Sequence, residues 1–380
     1  MRIGLIVAGG LDRSGRERVL PELLDFIERI ARRHELHAFA LQYYAQPCDY
    51  ELRGAWVHDL GRVDRPRGLR VWRMRRRLQA AIDGAGRFDL LHAYWGMPTG
   101  AVAVDVGAAA GIPVVVTLTT GELVAMDDIE YGLQRRRRDR AAVDRIFDRA
   151  AQVTVPTDYM RRLAGRHANR LVVMPMGLDR GRFAPADVAE GPPWRLLRVA
   201  TINRVKDYPL LLRAFALVGA AAPDTHLDIV GEDVLGGSMQ ALARELGLSA
   251  RVTFHGYQPM DRLPAFYARA HLHVVSSRHE ASSVTALEAS LAGVPTVGTA
   301  VGHLADWAAL SPPAAMTIAQ HDPQGLADAI IALLRNPPRR RQLAAAARTW
   351  ALTHDADSTA AAFEQLYARV AAGATSTFRR

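Results

Sequence analysis

The sequence predicts an α/β protein with two Rossmann-like, doubly wound domains that face each other across a cleft. Short β-branched segments alternate with helical patterns, which is typical of parallel sheets wound by helices. This alternation stops at a Pro- and Gly-rich stretch, 181–194, and then starts again. The length of 380 residues also exceeds what one core usually supports.

The first 180 residues are predicted to form the N-terminal domain. Its first strand, 2–8, ends at Gly9 and Gly10, and a helix with apolar residues at helical spacing follows at 20–31. The other predicted strands are 37–43, 55–60, 89–93, 114–118, 152–155 and 171–174, and the other helices are 65–82, 101–110 and 138–151.

Residues 181–194 are predicted to be a linker, and 195–352 the C-terminal domain. Its predicted strands are 196–202, 226–230, 252–255, 270–275 and 294–299, and its helices are 209–221, 239–246, 263–270, 284–291, 323–334 and 339–353. The last segment, 353–380, contains a predicted helix at 358–371 that we expect to pack back on the N-terminal domain.

Composition narrows the classes of function. A single cysteine, Cys48, excludes an intrachain disulfide and favours a reducing compartment, and no apolar run is long enough to span a bilayer. These features predict a cytoplasmic protein. The formal net charge is +9, with dense arginine runs at 73–77 and 135–138, which fit either a solvated surface or weak contact with an anionic membrane surface. Nucleic acid is not expected, since the runs lack interleaved aromatic residues.

Residues 276–300 point most directly to chemistry. A buried strand leads into a polar loop, and a helix at 284–291 then leads into another strand. Ligands of open α/β sheets bind at the carboxyl ends of strands, and a helix N-terminus suits a phosphate. Glu280 in the loop and Glu288 in the helix can accept hydrogen bonds from sugar hydroxyls. This pattern predicts a nucleotide-sugar site.

Lysine usage supports a phosphate site. Of the 48 basic residues, 47 are arginines, and Lys206 is the single lysine. An ammonium is a compact point charge, whereas a guanidinium is a planar fork. One interpretation is chance; the other is a diphosphate pocket that needs a compact cation.

These motifs resemble those of the retaining glycosyltransferases with the GT-B fold, in the group-4 class that uses nucleotide-activated sugars. The run from Glu280 to Glu288 and on to Pro295 is similar to the E-x7-E motif of that family. The similarity extends over most of the chain. The other matching segments are 89–95, 111–117, 175–179, 227–231 and 252–257.

The resemblance implies roles for individual residues. Glu280 would contact the donor sugar at the reacting centre, Glu288 the ribose, and Lys206 the leaving diphosphate. The remaining donor-binding residues would be Gly9, Gly10, Gly231, Gly256, Ser283 and Val284. No metal ligand is expected, and the displacement would occur on one face of the sugar without a dedicated protein nucleophile.

Two positions depart from the family. Thr201 stands where the family has an arginine, and Arg204 is expected to replace it as a donor-binding residue. Thr119 stands where the family often has a histidine, and His92 is expected to take over that catalytic role. Trp95, Thr119 and Glu122 are the predicted acceptor-side residues.

The predicted function is therefore transfer of a sugar from a nucleotide-diphosphate donor, UDP- or GDP-linked, to an acceptor hydroxyl. The acceptor is a glycan, a lipid-linked molecule or a small molecule, as in cell-envelope or polysaccharide biosynthesis. No cofactor is expected. The alternatives are a non-catalytic nucleotide-sugar-binding partner subunit and a GT-B-type sugar-nucleotide epimerase.

Overall fold

The chain folds into two compact units. The computed structural model describes residues 1–64, 67–186 and 188–377, without the side chains of 67, 68 and 374–377. One unit comprises Met1–Gly177 together with Ala356–Arg380, and the other comprises Leu178–Asp355. The final segment of the chain therefore belongs to the first unit, and residues 181–194 belong to the second.

The first unit is built on an eight-stranded sheet with the order β3-β4-β2-β1-β5-β6-β7-β8. All neighbouring strands are parallel except β3 and β4, which form an antiparallel hairpin. The strands are β1 (Arg2–Val7), β2 (Glu35–Ala40), β3 (Cys48–Leu52), β4 (Ala55–Asp59), β5 (Leu90–Tyr94), β6 (Val114–Thr117), β7 (Gln152–Val155) and β8 (Leu171–Val173). The central strands β5 and β6 are buried at every position, as expected where helices cover both faces of a sheet.

Helices cover this sheet, and the last one returns from the far end of the chain. They are α1 (Pro21–Ala31), α2 (Arg67–Ala85), α3 (Ala101–Ala110), α4 (Arg137–Arg149), α5 (Asp158–Leu163) and α13 (Ala356–Thr377). Helix α13 packs on α1. Phe363 meets Phe26 edge to face at 5.1 Å, and Arg29 Nε lies 3.0 Å from Asp357 Oδ1. Aromatic packing and an ion pair thus fix α13 on the first unit.

The second unit contains a six-stranded, all-parallel sheet with the order β11-β10-β9-β12-β13-β14. Its strands are β9 (Trp194–Val199), β10 (Thr225–Val230), β11 (Val252–Phe254), β12 (Leu272–Val275), β13 (Thr296–Thr299) and β14 (Met316–Ile318). Its helices are α6 (Tyr208–Ala221), α7 (Ser238–Glu245), α8 (Leu263–Tyr267), α9 (Val284–Leu291), α10 (Gly302–Ala308), α11 (Pro323–Leu334) and α12 (Pro337–Thr353). The strand order reverses at β9 and β12, and ligands of such sheets bind at that reversal.

The fold class predicted from the sequence is confirmed, whereas several short elements were not predicted. The omitted elements are β3, β14, α5 and α10. The predicted strand 37–43 is wrong at its end, because β2 stops at Ala40 and Tyr43 lies in the following loop. The predicted helix 65–82 is observed from Arg67 to Ala85, and its first two residues lie outside the described residues.

Candidate active site

Two loops meet at the carboxyl edge of the second sheet. Strands β9 and β12 are parallel neighbours, so both end on the same side. The loop after β9 forms a 3-10 turn, Arg204–Lys206, and the loop after β12 carries Glu280. The N–H of Arg278 donates to the carbonyl of Val205 at 2.8 Å, and the hydroxyl of Ser276 donates to the carbonyl of Lys206 at 2.8 Å. These bonds fix the two loops against each other.

Lys206 and Glu280 form an ion pair at this junction. Lys206 Nζ lies 2.7 Å from Glu280 Oε1 and 2.8 Å from Oε2, and the two side chains are 22% and 14% exposed. The Ser277 hydroxyl donates to Oε1 at 2.6 Å. A carboxylate offers roughly four acceptor positions. Within the described contacts, a position on Oε2 is left for the hydroxyl of a ligand.

A second cation, Arg198 on β9, lies beneath the pair. Its side chain has no exposed surface, and its Nη2 donates to Ser277 Oγ at 2.7 Å and lies 3.9 Å from Glu280 Oε1. Burial raises the pKa of Glu280, but the charges of Lys206 and Arg198 outweigh it and hold this pKa below its ordinary value. Two cations and one carboxylate leave the cluster with a charge of +1, which suits an anionic ligand.

Helix α9 begins beside this cluster. Its N-cap, Ser283, has φ +76°, a left-handed conformation that non-glycine residues seldom adopt. Ser283 is 4% exposed, and its Oγ has no hydrogen-bond partner among the described residues. Val284 opens the helix, where N–H groups and the helix dipole favour negative charge. A buried hydroxyl without a partner thus lies next to a helix N-terminus that favours negative charge.

Glu288 lies deeper in α9 than its predicted role suggests. It is 1% exposed, and the hydroxyl of Tyr267 donates to its Oε2 at 2.7 Å. Burial and the adjacent carboxylate raise the pKa of Tyr267, so the phenol remains a hydrogen-bond donor. The structure therefore places Glu288 almost entirely in the interior, where its Oε2 holds the hydroxyl of Tyr267.

Gly231 and Gly256 bring the ends of β10 and β11 close to the loop after β9. Gly231 has φ +153°, and a Cβ at this position would lie 1.9 Å from the carbonyl oxygen of Ala200. The N–H of Gly231 donates to the carbonyl of Gly256 at 2.9 Å. Glycine is therefore required at 231 for close packing of backbone on backbone. Arg204 is exposed on the neighbouring turn.

In the first unit, the predicted residues lie in loops at the carboxyl ends of β1, β5 and β6, except His92, which lies within β5. Gly10 has φ +82°, and a Cβ on Gly9 would lie 2.8 Å from the ring of Tyr43. Trp95 has φ +78° and ψ 148°, a region that is almost restricted to glycine. The Trp95 carbonyl accepts from the Thr99 hydroxyl and the Gly100 N–H, which hold this strained turn. Strain of this kind concentrates at functional sites.

Within the described residues, no group of three or more His, Cys, Asp and Glu side chains is arranged to hold a metal ion. No described helix is both long and apolar enough to cross a membrane.

Comparison with known proteins identifies the family. The family described as Glycosyl transferases group 1 matches residues 182–350, and the Glycosyl transferase 4-like domain matches residues 21–177. A D-inositol 3-phosphate glycosyltransferase of Thermomonospora curvata is 31% identical over 323 residues, covering 77% of this chain and 73% of the relative. The chain belongs to the group-4 glycosyltransferases.

Other relatives support this assignment. Mannosylfructose-phosphate synthase of Agrobacterium fabrum is 28% identical over 195 residues, covering 47% of this glycosyltransferase and 43% of the relative. Sucrose-phosphate synthase from Thermosynechococcus elongatus superposes with a TM-score of 0.81 at 20% identity, covering 98% of this chain and 100% of that one. Anabaena HepE in complex with UDP and glucose superposes with a TM-score of 0.73 at 17% sequence identity, covering 97% of this chain and 99% of that one. These structures confirm the GT-B fold.

Two predicted site residues of this glycosyltransferase are corrected by the structure. His92 has no exposed surface: its ring nitrogens lie 2.6 Å from the Tyr367 hydroxyl and 2.7 Å from Thr117 Oγ1. Burial lowers the pKa of His92 to about 3, so it is a neutral core residue and not a catalytic one. Glu122 is also fully buried and accepts the N–H groups of Gly96 and Thr120 at 2.8 and 2.7 Å. It positions two loops and does not contact an acceptor.

Arg198 and Ser277 are part of the site but were not predicted from the sequence. A signal for the first was present, because Arg198 interrupts the otherwise apolar run 196–200 of a central strand. An arginine is almost never fully buried unless it is paired, so its position in such a strand indicates a buried anionic partner. Thr119, predicted on the acceptor side, directly follows Leu118 at the end of β6 and is half-buried.

Proposed function

We propose that this glycosyltransferase moves a sugar from a nucleoside-diphosphate donor to an acceptor hydroxyl with retention of configuration and without a metal ion. The observation that carries the proposal is the Lys206–Glu280–Arg198 cluster, whose net positive charge lies beside the N-terminus of α9. HepE, which shares the fold, has been solved in complex with UDP and glucose and with UDP-glucose. These complexes support a nucleotide-sugar donor here.

Lys206 and α9 would stabilise the leaving diphosphate. As the bond between the sugar carbon and the diphosphate oxygen breaks, negative charge grows on that oxygen. An ammonium, backbone N–H groups and the unpartnered hydroxyl of Ser283 can receive this charge. They would perform the task for which other enzymes use a metal ion, which is the basis for proposing metal independence.

Glu280 would bind the sugar that is transferred. The acceptor position left on its Oε2 can receive a sugar hydroxyl, and its ionised state favours the positive charge that develops on the sugar ring. The acceptor hydroxyl would attack on the face that the diphosphate leaves, and its proton would pass to the departing phosphate oxygen. Carbon–oxygen bond making and breaking then balance without a protein nucleophile.

Donor and product analysis tests this proposal. The protein is incubated with UDP-, GDP- and ADP-sugars and with sugar, polyol-phosphate and lipid-linked acceptors, and nucleotide release and product mass are measured. Turnover with one donor, undiminished by EDTA, and a product with the donor's anomeric configuration are expected. Tight donor binding without turnover would instead support the non-catalytic partner subunit, and isomerised donor without transfer would support the epimerase.

We further propose that helix α2 contacts an anionic membrane surface weakly, in a cytoplasmic protein that visits the inner membrane face. Trp72 and Leu69 are 52% and 57% exposed, and the Arg76 guanidinium lies 5.1 Å from the Trp72 ring centroid. Arg73 and Arg75 are exposed on the same helix. Exposed apolar side chains among cations are typical of helices that lie in the headgroup region.

Vesicle binding tests the role of α2. Co-sedimentation with anionic vesicles is expected to fall several-fold in Trp72→Ala and with added salt, because apolar insertion and charge attraction act together. Trp56→Ala is the matched control, since Trp56 is 50% exposed on β4. Equal sedimentation of both variants would contradict this contact.

A further inference from the structure

The buried guanidinium of Arg198 adds charge to the cluster, but no step of the proposed transfer assigns it a task of its own. Arg198 lies on β9, between β10 and β12, and is completely buried. Removing a charge from water costs several kcal/mol, so a buried arginine needs an anionic partner. Among the described residues, its polar contacts include Ser277 Oγ at 2.7 Å, the Val274 carbonyl at 3.4 Å and Glu280 Oε1 at 3.9 Å. Glu280 is the carboxylate among these partners.

The hydrogen bonds of this cluster have a fixed direction. A guanidinium can only donate, so Arg198 Nη2 gives its hydrogen to Ser277 Oγ. The Ser277 hydroxyl hydrogen is then directed to Glu280 Oε1 at 2.6 Å. Ser277, like Arg198, has no exposed surface. Arg198 therefore holds the hydroxyl in the orientation that stabilises a charged Glu280.

The proposed function makes conflicting demands on Lys206. In the structure its ammonium neutralises Glu280, whereas the departing diphosphate needs the same ammonium. If Lys206 moved away alone, it would leave a buried carboxylate unpaired, which is strongly unfavourable. Arg198 cannot follow the diphosphate, because it is enclosed in the sheet. The two cations thus differ in exposure, since Lys206 is 22% exposed on a turn and Arg198 is enclosed in a central strand.

We propose that Arg198 is a positioning residue that, through Ser277, keeps Glu280 charged and in place while Lys206 is drawn to the diphosphate of the donor. This inference rests on the proposed function and adds a second cation to it. It also explains how the site operates with Thr201 on the exposed part of the loop after β9, since the extra positive charge comes from within the sheet.

Two cations act on the protonation of Glu280, and two neutral groups lie on the neighbouring elements. Lys206 and Arg198 favour the carboxylate. His273 on β12 is buried, which lowers its pKa to about 3, so it stays neutral. Burial raises the pKa of Tyr208 on α6 to about 12, so it is also neutral. When Lys206 moves to a diphosphate, Arg198 is therefore the remaining charge that opposes proton uptake by Glu280.

Proton uptake during nucleotide binding tests the proposal without turnover. UDP, GDP and ADP are titrated calorimetrically at about pH 6.5 in two buffers of different ionisation enthalpy. The wild type and Glu280→Gln are expected to take up equal numbers of protons, because the nucleotide contributes equally to both. The Arg198→Met and Ser277→Ala variants are expected to take up more protons than the wild type. The double variant with Arg198→Met and Glu280→Gln is expected to take up the same number as the wild type. Ser277→Thr keeps the hydroxyl and is expected to match the wild type.

Activity gives a second readout. In Arg198→Met, the acid limb of the pH profile of kcat is expected to move up by about one pH unit or more, because a charge within about 4–6 Å shifts a carboxyl pKa by 1–3 units. The KM for the donor is expected to change less. Arg195→Met, on the same strand with a 43% exposed side chain, is the matched control. Methionine fills the space of a buried arginine, and if Arg198→Met does not fold, Ser277→Ala decides.

The outcomes separate the two claims. Wild-type nucleotide binding and turnover with unchanged proton uptake in Arg198→Met and Ser277→Ala would overturn the role of Arg198 and leave the proposed function intact. Failure of the wild type itself to bind any of the three nucleotides would overturn the proposed donor, and the role of Arg198 with it.

Discussion

At the scale of single residues, the proposed chemistry is assigned to Glu280 and Lys206, which form the ion pair at the edge of the second sheet. The carboxylate is held by Lys206 on two oxygens and by Ser277 on one, so its position is set before a ligand arrives. Preorganised charge of this kind needs no reorientation when the sugar–phosphate bond breaks. A change that keeps the shape of residue 280 but removes its charge therefore isolates the electrostatic contribution.

Glu280→Gln is expected to lower kcat by roughly 10²–10³-fold, in the range found when one preorganised electrostatic partner is removed. Initial rates with the cognate donor measure this change. Glu245→Gln makes the same chemical change at an exposed position of α7 and serves as the control. A Glu280→Gln enzyme as fast as the control would show that this carboxylate takes no part in transfer.

At the scale of elements, backbone approach shapes the edge of the second sheet. Gly231 follows β10 and lies against Ala200, whereas Gly256 follows β11 and has open space where a Cβ would lie. Both have positive φ angles, +153° and +65°, so both are disfavoured for other residues. They differ in the space available to a side chain, and this difference can be measured.

Gly231→Ala is expected to decrease the free energy of unfolding, and the decrease should be several times the one caused by Gly256→Ala. The Cβ at 231 would overlap the carbonyl of Ala200 at 1.9 Å, whereas at 256 the cost is left-handed backbone alone, about 1–2 kcal/mol. Urea unfolding of the two variants gives the comparison. Equal midpoints would mean that the loop after β9 moves freely and that the close approach has no structural role.

Elements also show what the sequence could predict. Continuous apolar runs marked the buried parallel strands, and Gly293 with Pro295 marked the end of α9, so the region around Glu280 was placed correctly. Strand β3 is polar at alternate positions on a sheet edge, and β14 has three residues, so neither has a strong periodic pattern. Arg198 was missed because a pattern of hydrophobicity does not show which distant carboxylate pairs with a buried charge.

The error at His92 has a related cause. A histidine at a strand end next to a polar loop has the same local pattern whether it faces a ligand or the core. The deciding contact comes from Tyr367, 275 residues away, on the helix that returns to the first unit. A contact between residues this far apart in the sequence cannot be predicted from local spacing.

At the scale of the whole molecule, each unit has buried, neutral histidines that couple folding to pH. Burial lowers the pKa values of His92, His273 and His303 to about 3. An unfolded histidine has a pKa near 6.5. Below that value the unfolded chain binds protons that the folded chain does not, so stability falls as the pH falls. The lowered pKa of Glu280 acts in the same direction at more acidic pH.

The free energy of unfolding is therefore expected to decrease by up to about 1.4 kcal/mol per pH unit for each of these histidines below pH ~6.5. Chemical denaturation at several pH values between about 7 and 5 measures the slope. His303→Gln, which keeps a polar group near Ser282, is expected to reduce the slope by one histidine's share. A slope that does not change would show that this histidine is protonated in the folded state.

The central claim is that Lys206, and not a metal ion, stabilises the departing diphosphate. Its most direct test is the rate of nucleotide release from the cognate donor in EDTA, for wild type, Lys206→Ala and the control Arg213→Ala, an exposed position on α6. We expect wild type and the control to be fast and equal, and Lys206→Ala to be slower by roughly 10²–10³-fold. Wild-type rates in Lys206→Ala, or loss of wild-type activity in EDTA with recovery on adding a divalent cation, would contradict the claim.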